Sequence, residues 1–167
     1  EYPQARSIYQ INNINLYNFA LSNVNKIIDL KIPIRNKKYD KSNYEEYFQM
    51  GKATIHNENE IDEFEIFKVK TKKLDDLNFN KQISFIKIDV EGHETEVIKG
   101  SENTIKINKP ILLVEIEEQY THKKVLTTIN YIKSLGYNCF FYQNNELKNT
   151  NDLNDLNLFN NYIFKPI

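Results

Sequence analysis

The acidic stretch FIKIDVEGHETEVIKG, residues 85–100, places proton-accepting side chains where a predicted strand ends. Asp89 and Glu91 follow an apolar run, and His93 comes two residues later. Alternate side chains of a strand share a face, so Lys87, Asp89 and Glu91 are predicted to point the same way. Carboxylates and an imidazole can accept a proton from a substrate or favour a positive charge. We therefore take Asp89, Glu91 and His93 as the candidate catalytic residues.

A simpler interpretation of the same stretch is that its charges are solvated at a turn. Lys87 is then an ion-pair partner for Asp89, Gly92 only allows the chain to turn, and His93 lies at the start of a helix. Asp89 fits this interpretation least well, because it lies before the turn between apolar neighbours. Both interpretations stay open on the sequence alone.

No metal site is predicted from the histidines and the cysteine. The pair His93–Glu94 begins like a zinc-protease helix, but Val97 stands where the second histidine is needed. His56, His122 and Cys139 have no partners at ligand spacing.

The second half of the chain alternates strand and helix patterns. This rhythm predicts a parallel sheet with right-handed crossovers. In such sheets ligands bind beyond the carboxyl ends of the strands, where Asp89, Glu115 and Glu117 lie. The predicted strands are 84–90, 110–118, 137–143 and 161–167. The predicted helices are 93–107, with a break near Gly100, and 121–136. Residues 144–157 are predicted to form a polar loop.

The first half has weaker patterns. It predicts a helix end at 5–11, strands at 14–23, 26–34 and 63–71, and a long loop at about 35–60. The strands at 26–34 and 63–71 are expected to pair. We predict a single domain over residues 1–167, since the chain is too short for two.

Composition restricts the partners. The formal charge of −1, from 22 basic and 23 acidic side chains, does not favour nucleic acid. No run approaches the ~20 apolar residues of a membrane span, so no membrane partner is expected. The single cysteine, Cys139, is compatible with a reducing compartment, and we predict a cytoplasmic location.

Several motifs of the chain occur in a characteristic order. They are ALSN (20–23), GKATI (51–55), VKTKKLDDL (69–77), KIDVEG (87–92), Glu94, VIKG (97–100), Pro110, VEI (114–116) and NYIF (161–164). These motifs and their order resemble those of FkbM-type methyltransferases. The resemblance implies a Rossmann-like class I methyltransferase sheet over most of the chain, mostly parallel with an antiparallel last strand.

The resemblance also implies a cofactor and roles for individual residues. The cofactor is S-adenosylmethionine, and the acceptor is a hydroxyl of a carbohydrate or other small molecule. Ala20 and Leu21 would lie beside the adenine, and Glu1 would hold the ribose. Asp89 would stand near both the reacting methyl group and the acceptor, with Glu91 beside it.

One departure from the family pattern leaves an alternative open. Class I methyltransferases hold the methionine part of the cofactor with a glycine-rich loop, whereas no two of the four glycines here are close together. We therefore expect a sheet that is N-terminally incomplete. The alternatives are a non-catalytic Rossmann-like scaffold that binds a partner without cofactor, and a nicotinamide-dependent protein. The missing loop counts against the nicotinamide-dependent protein at least as strongly as against a methyltransferase, and KIDVEG favours only the methyltransferase.

Overall fold

The structure, a computed structural model, describes residues 13–33, 64–116, 125–152 and 156–167. The predictions for the helix end at 5–11, the loop at about 35–60, and Glu1 and Glu117 lie outside these residues. Within them the chain forms eight strands and three α-helices. They are β1 (Ala20–Leu21), β2 (Ile27–Pro33), β3 (Phe64–Lys72), β4 (Phe85–Ile88), α1 (Glu94–Lys99), α2 (Glu102–Asn108), β5 (Ile111–Glu115), α3 (Val125–Ser134), β6 (Tyr137–Gln143), β7 (Glu146–Asn149) and β8 (Asn161–Pro166).

The second half forms a five-stranded sheet in the order β4-β5-β8-β6-β7. β4 pairs with β5 in parallel, and β8 is antiparallel to both β5 and β6. Strands β4, β5 and β6 therefore run in one direction with α1, α2 and α3 between them in sequence. This confirms the predicted strand–helix rhythm and the antiparallel last strand.

The prediction of a mostly parallel sheet is wrong for the described strands as a whole. β1 and β3 are parallel, but β2 and β3 are antiparallel, and these three form a separate sheet. The insertion of β8 between β5 and β6 replaces one parallel contact with two antiparallel ones. The architecture is a mixed α/β fold, for which a Rossmann-like arrangement holds only loosely.

β7 was predicted as part of a polar loop and is instead the edge strand of the larger sheet. Asn144 and Asn145 join it to β6 with φ angles of 53° and 62°. A two-residue turn with both residues in the left-handed region matches the twist of a hairpin, and asparagine tolerates that region well. The turn therefore pairs residues 146–149 with β6 although they are polar.

The core lies between the five-stranded sheet and its helices. Leu112 and Val114 of β5 are fully buried, whereas Ile111 of the same strand is 40% exposed. β5 is thus covered mainly on one face, although its continuous apolar run 111–114 is typical of a strand that is covered on both. No helix in the described parts of the chain is long and apolar enough to span a bilayer.

The break between α1 and α2 fixes the two sheets against each other. Gly100 has ordinary helical angles, but a Cβ at this position would lie 2.0 Å from the carbonyl oxygen of Ser22. The carbonyl of Gly100 also accepts a hydrogen bond from the backbone N–H of Asp75 at 3.0 Å. The segments that follow β1 and β3 therefore both pack against the predicted helix break. Only a glycine at position 100 leaves room for the segment that follows β1.

Candidate active site

A cleft of about 540 Å³ lies between β1 and β4. The two strands belong to different sheets, so the cleft also separates the two sheets at this point. Its lining is mostly apolar and aromatic, with two charged residues, Lys87 and Asp89. The lining residues are Phe19, Ala20, Leu21, Leu30, Leu74, Phe79, Ile83, Val97, Ser101 and the run 85–90.

The cleft follows the open edge of β4. Consecutive side chains of a strand point to opposite faces, so a cavity lined by the continuous run 85–90 must lie along the strand edge. Among the described strands β4 pairs only with β5. The edge of β4 that faces the cleft thus presents backbone N–H and C=O groups as well as side chains.

The two charged residues of the lining, Lys87 and Asp89, form an ion pair. Lys87 Nζ lies 2.5 Å from Asp89 Oδ2, which confirms that the two side chains share a face of the strand. Hydrogen bonding and charge attraction from Asp89 raise the pKa of Lys87, and the charge of Glu115 on β5 adds to this. Asp89 lines the cleft and Glu115 does not. Of the predicted strand-end carboxylates that the structure describes, only Asp89 therefore reaches the cleft.

The turn that follows Asp89 has an unusual backbone. Glu91 and Gly92 have φ angles of 50° and 97°, so two successive residues lie in the left-handed region. Glycine adopts this region without cost, and the prediction that Gly92 allows the chain to turn here is confirmed. A glutamate there is uncommon and carries some strain. The turn redirects the chain from β4 into α1.

Glu94 braces this turn from inside. Its Oε1 accepts a hydrogen bond from the backbone N–H of Gly92 at 2.9 Å, and the residue is 3% exposed. Its other oxygen, Oε2, is buried without a hydrogen-bond partner among the described residues. Burial raises the pKa of the Glu94 carboxyl, while hydrogen bonds from backbone N–H groups oppose that rise.

His93 faces β1 and not the cleft. Its Nε2 lies 2.9 Å from the hydroxyl oxygen of Ser22, a residue that is only 3% exposed. Its Nδ1 lies 4.0 Å from Glu96 Oε2, an ion pair when the ring is protonated. The imidazole is therefore enclosed between β1 and the first turn of α1.

The structure brings together three of the predicted site residues: Ala20, Leu21 and Asp89 all line the cleft. Glu91 and His93 lie two and four positions after Asp89 but are not part of the cleft lining. Glu1 lies outside the described residues. The structure does not test the roles assigned to these residues.

Sequence reasoning missed the roles of Glu94 and Ser22. An acidic residue in the first turn of a helix is a common stabilising feature, so Glu94 carried a weak signal. Ser22 carried none, because its partner is 71 positions away.

In the described parts of the chain, no three His, Cys, Asp or Glu side chains come close enough to hold a metal ion. Cys139 is buried, and burial raises the pKa of its thiol to about 12. A thiol of this kind is a poor nucleophile at neutral pH.

Comparison with known proteins identifies the family. No curated protein matches the chain. One solved structure, a methyltransferase FkbM from Methylobacillus flagellatus, aligns with 59% of this chain at 21% identity and a TM-score of 0.41. The aligned region spans 23% of that protein's length. The methyltransferase FkbM domain family matches residues 1–139, which is most of the sequence. The chain belongs to the methyltransferase FkbM domain family.

Proposed function

We propose that this protein is an S-adenosylmethionine-dependent O-methyltransferase that acts on a hydroxyl of a sugar or other small molecule. The observation that carries the proposal is the shared cleft of Ala20, Leu21 and Asp89. The pair Ala20–Leu21 and Asp89 lie far apart in sequence, and the resemblance to FkbM-type methyltransferases implies a place for both at a methyl donor site. The expected cytoplasmic location, and the absence of nucleic acid and membrane partners, remain predictions.

The residues of the cleft fit part of the methyl donor. A volume of about 540 Å³ lies within the ~300–1,000 Å³ typical of small-molecule sites. Ala20 and Leu21 offer an apolar wall for the adenine, and the Asp89 carboxylate favours a positively charged sulfur. The sequence has no neighbouring glycines to cradle the methionine part, so these residues account for the adenosine and sulfonium parts only.

Asp89 is the residue to which we assign proton transfer. When bound, the methyl donor supplies an electrophilic methyl group. An acceptor hydroxyl becomes a better nucleophile as its proton leaves, and an Asp89 oxygen can accept that proton. Lys87 fixes the orientation of the carboxylate through Oδ2. The catalytic role predicted for Glu91 remains a prediction, whereas the contacts of His93 with Ser22 and Glu96 favour a different role for that residue.

Calorimetry with S-adenosylhomocysteine tests the proposal on the natural protein. We expect binding in the micromolar range. We also expect Asp89→Asn to stop methyl transfer to any acceptor that the wild type methylates, while leaving the fold intact. Circular dichroism of the variant serves as the folding control.

Two outcomes would overturn this function. Failure of the wild type to bind S-adenosylhomocysteine or S-adenosylmethionine would favour the non-catalytic scaffold. Near-normal turnover of Asp89→Asn would remove the role of Asp89 and leave the cleft without an assigned base.

A further inference from the structure

The contact between Ser22 and His93 joins the two walls of the cleft. Ser22 directly follows Leu21, which lines the cleft from the side of β1. His93 directly follows the turn that begins after Asp89, on the side of β4. The 2.9 Å separation of Ser22 Oγ and His93 Nε2 is therefore the hydrogen bond that links these two segments across the sheets.

Ser22 contacts the residues at both ends of α1. Its hydroxyl meets His93 at the start of the helix, and its carbonyl oxygen lies against Gly100 at the end. Its backbone N–H donates to the carbonyl of Lys72 at 2.9 Å, which continues the pairing of β1 with β3. A residue fixed at three points in this way has little freedom to move. The position of Leu21 is fixed with it.

The surroundings of His93 favour a structural contact over proton transfer to a substrate. A general base must come within hydrogen-bond reach of the proton that it accepts. The Nε2 atom is occupied by a buried hydroxyl, and the Nδ1 atom faces Glu96. His93 is also not part of the cleft lining.

We propose that the Ser22–His93 hydrogen bond positions the adenine-binding wall of the cleft relative to Asp89, and that His93 is a positioning residue. The inference rests on the proposed function, because it assigns the Ala20–Leu21 wall to the adenosine part of the methyl donor. Loss of the hydrogen bond lets that wall shift away from Asp89. The affinities for S-adenosylmethionine, whose sulfur is charged, and for S-adenosylhomocysteine, whose sulfur is neutral, then fall to the same extent.

The test measures the dissociation constants of S-adenosylhomocysteine and S-adenosylmethionine for the natural protein and its variants. Ser22→Ala and His93→Ala are each expected to raise the dissociation constants of both ligands by about five- to tenfold, which corresponds to the loss of one hydrogen bond. The ratio of the two constants should not change. His93→Gln, whose amide can occupy the place of Nε2, should restore much of the affinity, and the double variant should be no weaker than either single one.

Ser134→Ala is the matched control, because its hydroxyl also bonds to the protein but lies exposed on α3, outside the cleft lining. Thermal melting checks that each variant folds, and His93→Gln keeps the test usable if His93→Ala does not. If the wild type binds both ligands and the dissociation constants of Ser22→Ala and His93→Ala equal those of the wild type, this inference alone is overturned. Absence of binding by the wild type would instead overturn the proposed function and the inference with it.

Discussion

Lys87 and Asp89 form an ion pair at the edge of β4, with Nζ 2.5 Å from Oδ2. Their side chains are 53% and 35% exposed, and ion pairs of this kind add little to stability. The pair matters more for the charge that it presents to the cleft. In the wild type, the lysine neutralises much of the negative charge next to the proposed sulfonium position.

The pair predicts opposite effects of two substitutions on ligand preference. Lys87→Met removes the neutralising charge and should strengthen binding of S-adenosylmethionine relative to S-adenosylhomocysteine by about two- to fivefold at low salt. Asp89→Asn removes the carboxylate and should weaken that relative affinity by a similar factor. Calorimetry with both ligands, which differ by the charged methyl group, measures the ratio.

High salt provides the control, because screening should shrink both effects. Equal changes in the affinity of both ligands, or shifts of the same sign in the two variants, would show that the pair does not act on the charged sulfur.

Gly100 predicts a steric effect that is independent of ligands. Gly100→Ala places a Cβ 2.0 Å from the Ser22 carbonyl oxygen, although the backbone angles suit alanine. We expect the free energy of unfolding to fall by about 1–3 kcal/mol, as for other overpacked sites. Urea denaturation measures the change.

Lys99→Ala, one residue earlier and exposed, is the matched control and should change stability little. A Gly100→Ala protein as stable as the control would mean that the segment after β1 is not docked against the helix break.

The sequence predicted the features of the site that depend on local chemistry. The strand before Asp89, the turn at Gly92 and the end of α3 at Gly136 follow from side-chain patterns and from glycine's freedom at positive φ. The pairing of Ser22 with His93 did not follow, because it depends on how two sheets pack. The strand β7 was missed for a different reason, since its polar residues are held in the sheet by the turn before it and not by burial.

Glu94 predicts a pH dependence of stability. Burial raises the pKa of its carboxyl above 4.5, so the folded protein binds this proton more tightly than the unfolded chain does. The stability that depends on this group is therefore greatest at acidic pH and falls as the pH rises from about 4.5 through the raised pKa. Glu94→Gln cannot ionise. Its free energy of unfolding, relative to wild type, should increase over the same pH range.

Glu102 supplies a control with the opposite sign. Hydrogen bonds from Lys106 and Tyr131 lower the pKa of its carboxyl, so its contribution is present above the ordinary pKa and is lost as the pH falls. Glu102→Gln should therefore lose stability relative to wild type as the pH rises. Urea denaturation between about pH 3 and 7 measures both series. A flat difference for Glu94→Gln would mean that its carboxyl is not buried in the turn.

The turn between β6 and β7 predicts a stabilising substitution. Asn144 and Asn145 both have positive φ, and asparagine followed by glycine is the preferred pair for such a turn. Asn145→Gly should raise the free energy of unfolding, because glycine adopts this region without strain, although the greater freedom of glycine in the unfolded chain offsets part of the gain. The substitution removes only a long contact of 3.5 Å from the Tyr142 hydroxyl. Asn145→Ala removes the same contact but keeps a Cβ at positive φ, so it should destabilise the protein. Urea denaturation of the two variants isolates the backbone effect, and equal stabilities would contradict the hairpin turn that holds β7 in the sheet.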